Sequence, residues 1–340
     1  MTDPNATFNG TMAAVVATRP GDADVLAVVR RPIPTPTGDE VLIKVAAAGI
    51  NRVDVLQRLG RYSPPAGTSD ILGVEVSGVV AALGPAATRF RLGDAVCGLV
   101  IGGGYSEYCP VPEGQTLPLP KGLTHIQGAG LPETFITTWT ALFDHGRLAA
   151  GESILIHGGS SGIGTTAIML ARMTGATAIY VTAGSPDKCR ACEKLGATRA
   201  IDYRAEDFVS VVQAATGGRG VDVILDMVAA DYVPRNMSLL ADDGRLVFVG
   251  RMGPLVDSPI NPTPIMFKRL TVTGLSLRGQ SVARKSAIAR AVERTAWPWL
   301  ESGAIAPVID GVFPLAQAAD AHRRLETSAH IGKLILAVGA

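Results

Sequence analysis

Little in this sequence points to nucleic acid, a membrane or an oxidising compartment. The 340-residue chain has a net charge of +1 and no run of lysine or arginine. Neither a phosphate backbone nor an anionic lipid surface is therefore an expected partner. No apolar stretch reaches the length of a membrane span. The first eleven residues are polar and lack the apolar segment of a secretory signal, which makes a cytoplasmic enzyme the default. There are only four cysteines, Cys97, Cys109, Cys189 and Cys192. In a chain this long they do not make a disulfide framework. Cys189 and Cys192 form a CxxC within the expected first turns of a helix, where cysteines three apart are often just small buried residues. The histidines have no metal-ligand spacing. Charged residues are also modest, at 18% against 47% hydrophobic, a balance that excludes general disorder. The length suits two cores better than one.

The texture changes along the chain. Residues 1–11 read as a flexible tail. Short strands are expected over 13–17, 40–48, 73–83 and 95–100, between turn clusters at 31–38, 63–67 and Gly93-Asp94. A helix is expected over 133–149. Beyond Gly151 the rhythm becomes strand, helix, strand. Strands are expected over 153–157, 178–182, 200–202, 221–225, 245–249 and 270–274, with helices such as 164–175 and 187–195 between them. Six strands alternating with helices predict a doubly wound parallel sheet, hence an α/β protein. From about residue 306, a strand (308–312), a helix (315–325) and a strand (333–337) are expected to return to the first, β-rich domain. The expected division is a tail over 1–11, a β-rich domain over 12–132 and 306–340, and a doubly wound domain over 133–305.

The strongest motif is Ile154-Leu-Ile-His-Gly-Gly-Ser-Ser-Gly-Ile-Gly164. An apolar strand enters a glycine-dense turn, and an apolar-periodic helix follows. Backbone N–H groups and the positive end of a helix can then approach a pyrophosphate. Gly159, Ser160, Ser161, Gly162, Ile163 and Gly164 are the expected cradle, with Ser161 standing where the usual pattern has its middle glycine. His157, at the end of the strand, is expected to pack under the loop. An NAD-preferring site would place an acid about twenty residues on. Here Ala183-Gly184-Ser185 carries none, while Ser185 and Lys188 could hold a 2′-phosphate. Asp187 is the complication. NADPH is the expected cofactor.

Ala48-Gly-Ile-Asn-Arg-Val-Asp54, Leu72-Gly-Val-Glu-Val-Ser-Gly78 and the loop at Gly158–Gly164 resemble the medium-chain dehydrogenase/reductase superfamily. Leu56-Gln-Arg-Leu-Gly-Arg-Tyr62, Glu193-Lys-Leu-Gly-Ala197 and His330-Ile-Gly-Lys333 are similar to its quinone oxidoreductases of the zeta-crystallin type, and most to the branch with the tumour-suppressor-induced quinone oxidoreductase. The resemblance runs from about Met12 onward and implies a GroES-like β-rich domain followed by a Rossmann domain. The zinc alcohol dehydrogenases of this superfamily have a cysteine where this chain has Asn51, and a histidine where it has Val74. Valine cannot ligate zinc, and asparagine is a poor ligand beside thiolate and imidazole. The structural-zinc lobe is missing too. No metal is expected.

Without a Lewis acid, the easier acceptors are conjugated ones that already draw hydride: quinones, enones and enals. Tyr62 is the candidate proton donor, with a role merely lining the cofactor cleft left open. Asn51 resembles the family asparagine near the nicotinamide. The resemblance further implies Thr137 on the nicotinamide side, and Gly184, Ser185, Lys188 and Tyr203 around the adenosine phosphate. It places Gly250, Arg251 and Met252 under the nicotinamide ribose, and adds Leu275, Ser276 and Lys333. A quinone oxidoreductase, an enoyl or alkenal reductase and a non-enzymatic nucleotide-binding redox sensor all remain open, with the intact loop favouring an enzyme. The last parallel strand would leave an open sheet edge, so a homodimer is expected.

Overall fold

A computed structural model describes residues 10–250 and 260–339. It divides into two compact units. One contains the residues up to Ile136 and those from Arg278 onward, and the other is Thr137–Leu277.

The second unit is a six-stranded parallel sheet. Its strands are Ser153–Ile156, Ala178–Ala183, Arg199–Asp202, Val221–Asp226, Leu240–Phe248 and Thr271–Gly274. Numbered along the chain, their spatial order is 3-2-1-4-5-6, all parallel. Sheets of this kind are covered on both faces, so their central strands read as unbroken apolar runs. Ile154-Leu155-Ile156 and Val223-Ile224-Leu225 are such runs, and all six residues are fully buried. The order reverses beside the first strand, and ligands bind at the carboxyl ends of the strands around such a switch point.

The first unit is antiparallel in the main. Glu40–Ile50 lies at its centre, paired with Glu75–Leu83, Tyr108–Pro112 and Lys333–Ala337. The last pairing sets Leu334 opposite Ile50. That register, from a strand far along the chain, brings Lys333 to the end of Glu40–Ile50, where helix Arg52–Arg58 begins. Thr11–Ala17 and Leu26–Pro32 form a separate two-stranded ribbon.

Three expectations change. The helix expected over 133–149 is Pro132–Trp139 followed by a wider π-type turn over Thr140–His145, closed by Gly146 N donating to Ala141 O at 2.8 Å. The domain limit expected at 305 falls at Leu277/Arg278. Helix Val282–Glu301 belongs to the first unit because Arg290 Nη2 donates to Gly114 O and Thr116 O (3.0 and 2.6 Å), and Trp297 Nε1 donates to Pro118 O at 2.7 Å. Strands Leu26–Pro32 and Tyr108–Pro112 are not among those expected; Pro32 and Pro112 end their strands, and Pro110 lies in a strand paired on one side. Among the described residues, no helix is long and apolar enough to cross a membrane.

Candidate active site

Each unit holds one chemically equipped region. In the second unit, strand Ser153–Ile156 leads through His157–Ser161 into helix Gly162–Met173. Gly158 turns with φ +70°, a conformation side chains disfavour. A Cβ on Gly164 would collide with the Gly158 carbonyl oxygen, and one on Gly159 would lie 2.7 Å from Val181 Cβ. The Ser161 hydroxyl caps the helix by accepting from Gly164 N at 3.0 Å. The N–H groups of Gly162 and Ile163 have no acceptor within the helix, and the helix dipole adds positive potential. Bare backbone at a helix start fits a dinucleotide pyrophosphate.

One strand over, Ser185 caps helix Pro186–Leu195 at the end of Ala178–Ala183. Gly184 lies so close to Tyr203 that a Cβ there would be 2.7 Å from the phenol oxygen. Asp187 is ion-paired with Arg190, one turn further along. Lys188 occupies the first turn and is half-buried. Gly184, Ser185 and Tyr203 are thus together at the carboxyl edge. Gly250 is exposed just beyond strand Leu240–Phe248. Leu275 N donates to Phe248 O at 3.0 Å, which brings Leu275 and the exposed Ser276 to the same edge. Arg251 and Met252 lie outside the described residues. Thr137 is buried on helix Pro132–Trp139.

His157 is fully buried. Its Nδ1 pairs with Thr182 Oγ1 at 3.0 Å and its Nε2 with Asn236 Oδ1 at 2.7 Å. The rings of Phe208 and Tyr232 flank it at 4.9 and 4.8 Å. Burial pushes its pKa down, so it packs as a neutral ring beneath the loop. Cys189 and Cys192 are unbridged and buried, and burial pushes the Cys192 thiol up to about 12. That makes a poor thiolate nucleophile.

The first unit is equipped with side chains instead. Lys333 Nζ donates to Asn51 Oδ1 (2.7 Å) and Ile50 O (2.9 Å), and lies 2.6 Å from Glu75 Oε1. Asn51 Nδ2 donates to the same Glu75 oxygen at 2.9 Å, while Glu75 Oε2 accepts from Glu133 N at 2.9 Å. All three side chains are buried. These contacts fix which way the Asn51 amide points. Behind it, Asn51 N donates to Asp54 Oδ2 at 2.8 Å, as does the Tyr105 hydroxyl at 3.1 Å. Tyr105 Oη also pairs with His322 Nε2 at 3.2 Å. Arg58 reaches His322 Nδ1 at 3.4 Å and grips Glu326 with two bonds of 3.0 and 2.7 Å. Burial raises the Asp54 carboxyl to about 6. Burial and Arg58 lower His322 to about 3, so it is neutral near pH 7. Tyr62 is half-buried, with its ring centroid 5.2 Å from the Arg278 guanidinium carbon.

Asn51 and Lys333 are therefore brought together. Sequence reading missed Glu75, Asp54, Tyr105, Arg58, His322 and Arg278. Only Asn51-x-x-Asp54 carries a local signal, the acceptor-and-acid spacing of a helix start. Val74 is buried one residue from Glu75 and offers no metal donor. Among the described residues, no cluster of three or more His, Cys, Asp or Glu side chains could hold a metal ion.

Two family models match: the alcohol dehydrogenase GroES-like domain over residues 37–121 and the zinc-binding dehydrogenase domain over residues 162–294. Quinone oxidoreductase of Rattus norvegicus is 33% identical over 306 residues, covering 89% of this chain and 91% of that protein. Escherichia coli quinone oxidoreductase complexed with NADPH superposes with a TM-score of 0.86 at 28% identity, covering 96% of this chain and all of that one. The CurK enoyl reductase superposes at 0.85 with 26% identity, covering 97% of this chain and 100% of that one.

Proposed function

Because this chain belongs to the quinone oxidoreductase group of the medium-chain dehydrogenase/reductase superfamily, we propose that it is an NADPH-dependent oxidoreductase. Its acceptor is a quinone or another conjugated carbonyl, reduced without zinc. The observation that carries the cofactor choice is the strand end at Ala183-Gly184-Ser185. Its Ser185 hydroxyl, with Tyr203 nearby and Lys188 in the next turn, would meet a 2′-phosphate. The acid next in sequence, Asp187, is ion-paired with Arg190, which offsets its repulsion of that phosphate. The donor set supports the absence of zinc: valine and an amide already bonded to Lys333 and Glu75 make no zinc site.

The bound nicotinamide supplies hydride, and this chain's residues bind, orient and protonate. Backbone from Gly159 to Gly164 holds the pyrophosphate. Gly184, Ser185, Lys188 and Tyr203 take the adenosine phosphate. In the first unit Asn51 is a fixed amide, held by Lys333 and Glu75; in the second, Thr137, Gly250, Leu275 and Ser276 are the residues proposed for the nicotinamide half, with Arg251 and Met252 outside the described residues. Tyr62 either delivers a proton or lines the acceptor pocket.

Reduction of a C=C bond conjugated to a carbonyl is the second reading, supported by the likeness to an enoyl reductase. NADPH oxidation against quinones, enals and enoyl thioesters, with products identified, separates the two. Quinol supports the first reading and a saturated carbonyl the second; no turnover with any of them sinks both. Activity lost on chelation and restored by zinc would overturn the zinc-free claim. A second copy of this chain is the proposed partner. Strand Thr271–Gly274 ends the parallel sheet, and Met266 and Phe267 are 71% and 76% exposed on the preceding helix. A monomeric mass in solution at micromolar protein would count against it.

A further inference from the structure

One cation in the first unit is held in place without being fully used. Arg278 Nε donates to Ile101 O at 2.7 Å, and Nη2 donates to that carbonyl and to Gln57 Oε1 at 2.8 Å. The third nitrogen, Nη1, is buried and has no hydrogen-bond partner among the described residues. A buried donor left unpaired is costly and calls for a ligand or water. The Tyr62 ring lies beside the same guanidinium, and its hydroxyl comes close enough to oppose the lowering of the Arg278 pKa. Two anchored nitrogens fix the plane of the group and leave the third to recognise something else.

We propose that Arg278 Nη1 and the Tyr62 hydroxyl form an oxyanion-binding pair that grips the carbonyl oxygen of the acceptor and holds the negative charge reduction places on it. This rests on the reading of the chain as a reductase of conjugated carbonyls. In that chemistry, hydride from reduced nicotinamide forms one new bond, to carbon in an enone or to oxygen in a quinone. The conjugated π bonds shift, and an electron pair comes to rest on a carbonyl oxygen as enolate or quinol monoanion. A proton from Tyr62 or water then neutralises it. Donors aimed at that oxygen act where charge develops, so they favour the transition state over the neutral acceptor. Burial pushes the Arg278 pKa down, with Asp54 and Tyr62 opposing, and an arginine starts so high that it keeps its charge. The pair selects acceptors with an accessible carbonyl oxygen and gives product-like phenolates an advantage over neutral phenols.

The test is binding of 4-nitrophenolate, a mimic of the quinol monoanion, to the enzyme with NADP⁺ bound, followed by the dye's absorbance. Wild type should bind it. Arg278→Met should weaken that binding about 10–100-fold, the scale of a lost charged hydrogen bond. Arg278→Lys should recover part of it. Tyr62→Phe leaves the Ile101 and Gln57 anchors intact and should cost about tenfold. NADPH affinity should stay unchanged in all three. Equal phenolate binding by wild type and both Arg278→Met and Tyr62→Phe overturns the pair, as does no binding to wild type. So does a parallel loss of NADPH affinity, which would make Arg278 structural or a cofactor contact. If wild type reduces no conjugated carbonyl yet binds phenolate through Arg278, the functional reading fails and the anion site stands. If quinones are reduced and Arg278→Met changes neither kcat/KM nor phenolate binding, the pair fails and the reading stands.

Discussion

The glycine loop of the second unit and the Asn51–Lys333 cluster of the first are built by opposite means. At the loop, side chains must be absent: Gly158 occupies a left-handed turn, and Gly159 and Gly164 have no room for a methyl group. The proposed cofactor contact is the backbone, which every residue carries, so the site depends on what has been removed. The cluster depends on what has been added: a buried amide, carboxylate and ammonium, each the partner of the other two. A backbone site fails locally when it is filled. A network of buried charges fails as a whole when one member leaves, because the remaining charges stay buried without compensation.

Breaking the network should give the largest effect. Lys333→Met leaves the fully buried Glu75 carboxylate without its cation and should cost about 3–5 kcal/mol of folding stability, read from denaturant midpoints. A loss below about 1 kcal/mol would mean the cluster is not coupled as described. Filling the loop comes next. Gly164→Val should weaken NADPH binding about 10²-fold or more, by fluorescence titration, while the apo protein stays folded. Unaltered affinity would break the contrast from the other side.

A pH experiment sharpens it. The Asp54 carboxyl is raised to about 6, above the 3.8 of a free aspartate. A raised acid stabilises the fold most below its unfolded value, and that contribution is lost as pH rises through about 6. Asp54→Asn keeps an acceptor for Asn51 N and does not titrate. The stability of this variant relative to wild type should therefore improve by about 2 kcal/mol between pH 4 and pH 7. Tyr105, Arg278 and Lys333 face the group and are common to both proteins. His322, lowered to about 3, has the opposite sign, with its contribution lost as pH falls below about 6.5, and it cancels in the difference. A pH-independent difference would remove the buried-acid account. The smallest effect is expected at the adenosine end: Lys188→Glu should weaken NADPH about tenfold relative to NADH, and equal change for both cofactors would remove the phosphate contact.

The same contrast explains what could be read from the sequence. The parallel sheet and its loop were legible because their signals are local: apolar runs at strand ends, glycines at fixed spacing, and a helix directly after. His157 was legible for the same reason, as a strand-end residue under a loop. The cluster was mostly illegible. Lys333 is 282 residues from Asn51 and entered only through resemblance, and the Arg58–His322 contact spans 264. No periodicity encodes which distant strands pair, and a buried histidine carries no mark that separates it from a surface one. The reach of helix Val282–Glu301 to the first unit was hidden likewise, since Arg290 and Trp297 find backbone carbonyls and not a patterned partner.

The register that delivers Lys333 also sets a timetable. On a ribosome, Asn51, Asp54 and Glu75 emerge early, with Lys333 still unmade, and the whole of Thr137–Leu277 follows before it. The intervening unit has every strand of its sheet within its own span and can close as it is synthesised. The earlier segment must wait, its carboxylates solvated and its central strand short of one neighbour, because long-range pairing cannot form before both ends exist. A nascent chain can therefore complete the inserted unit before the last strand pairing of the enclosing one exists.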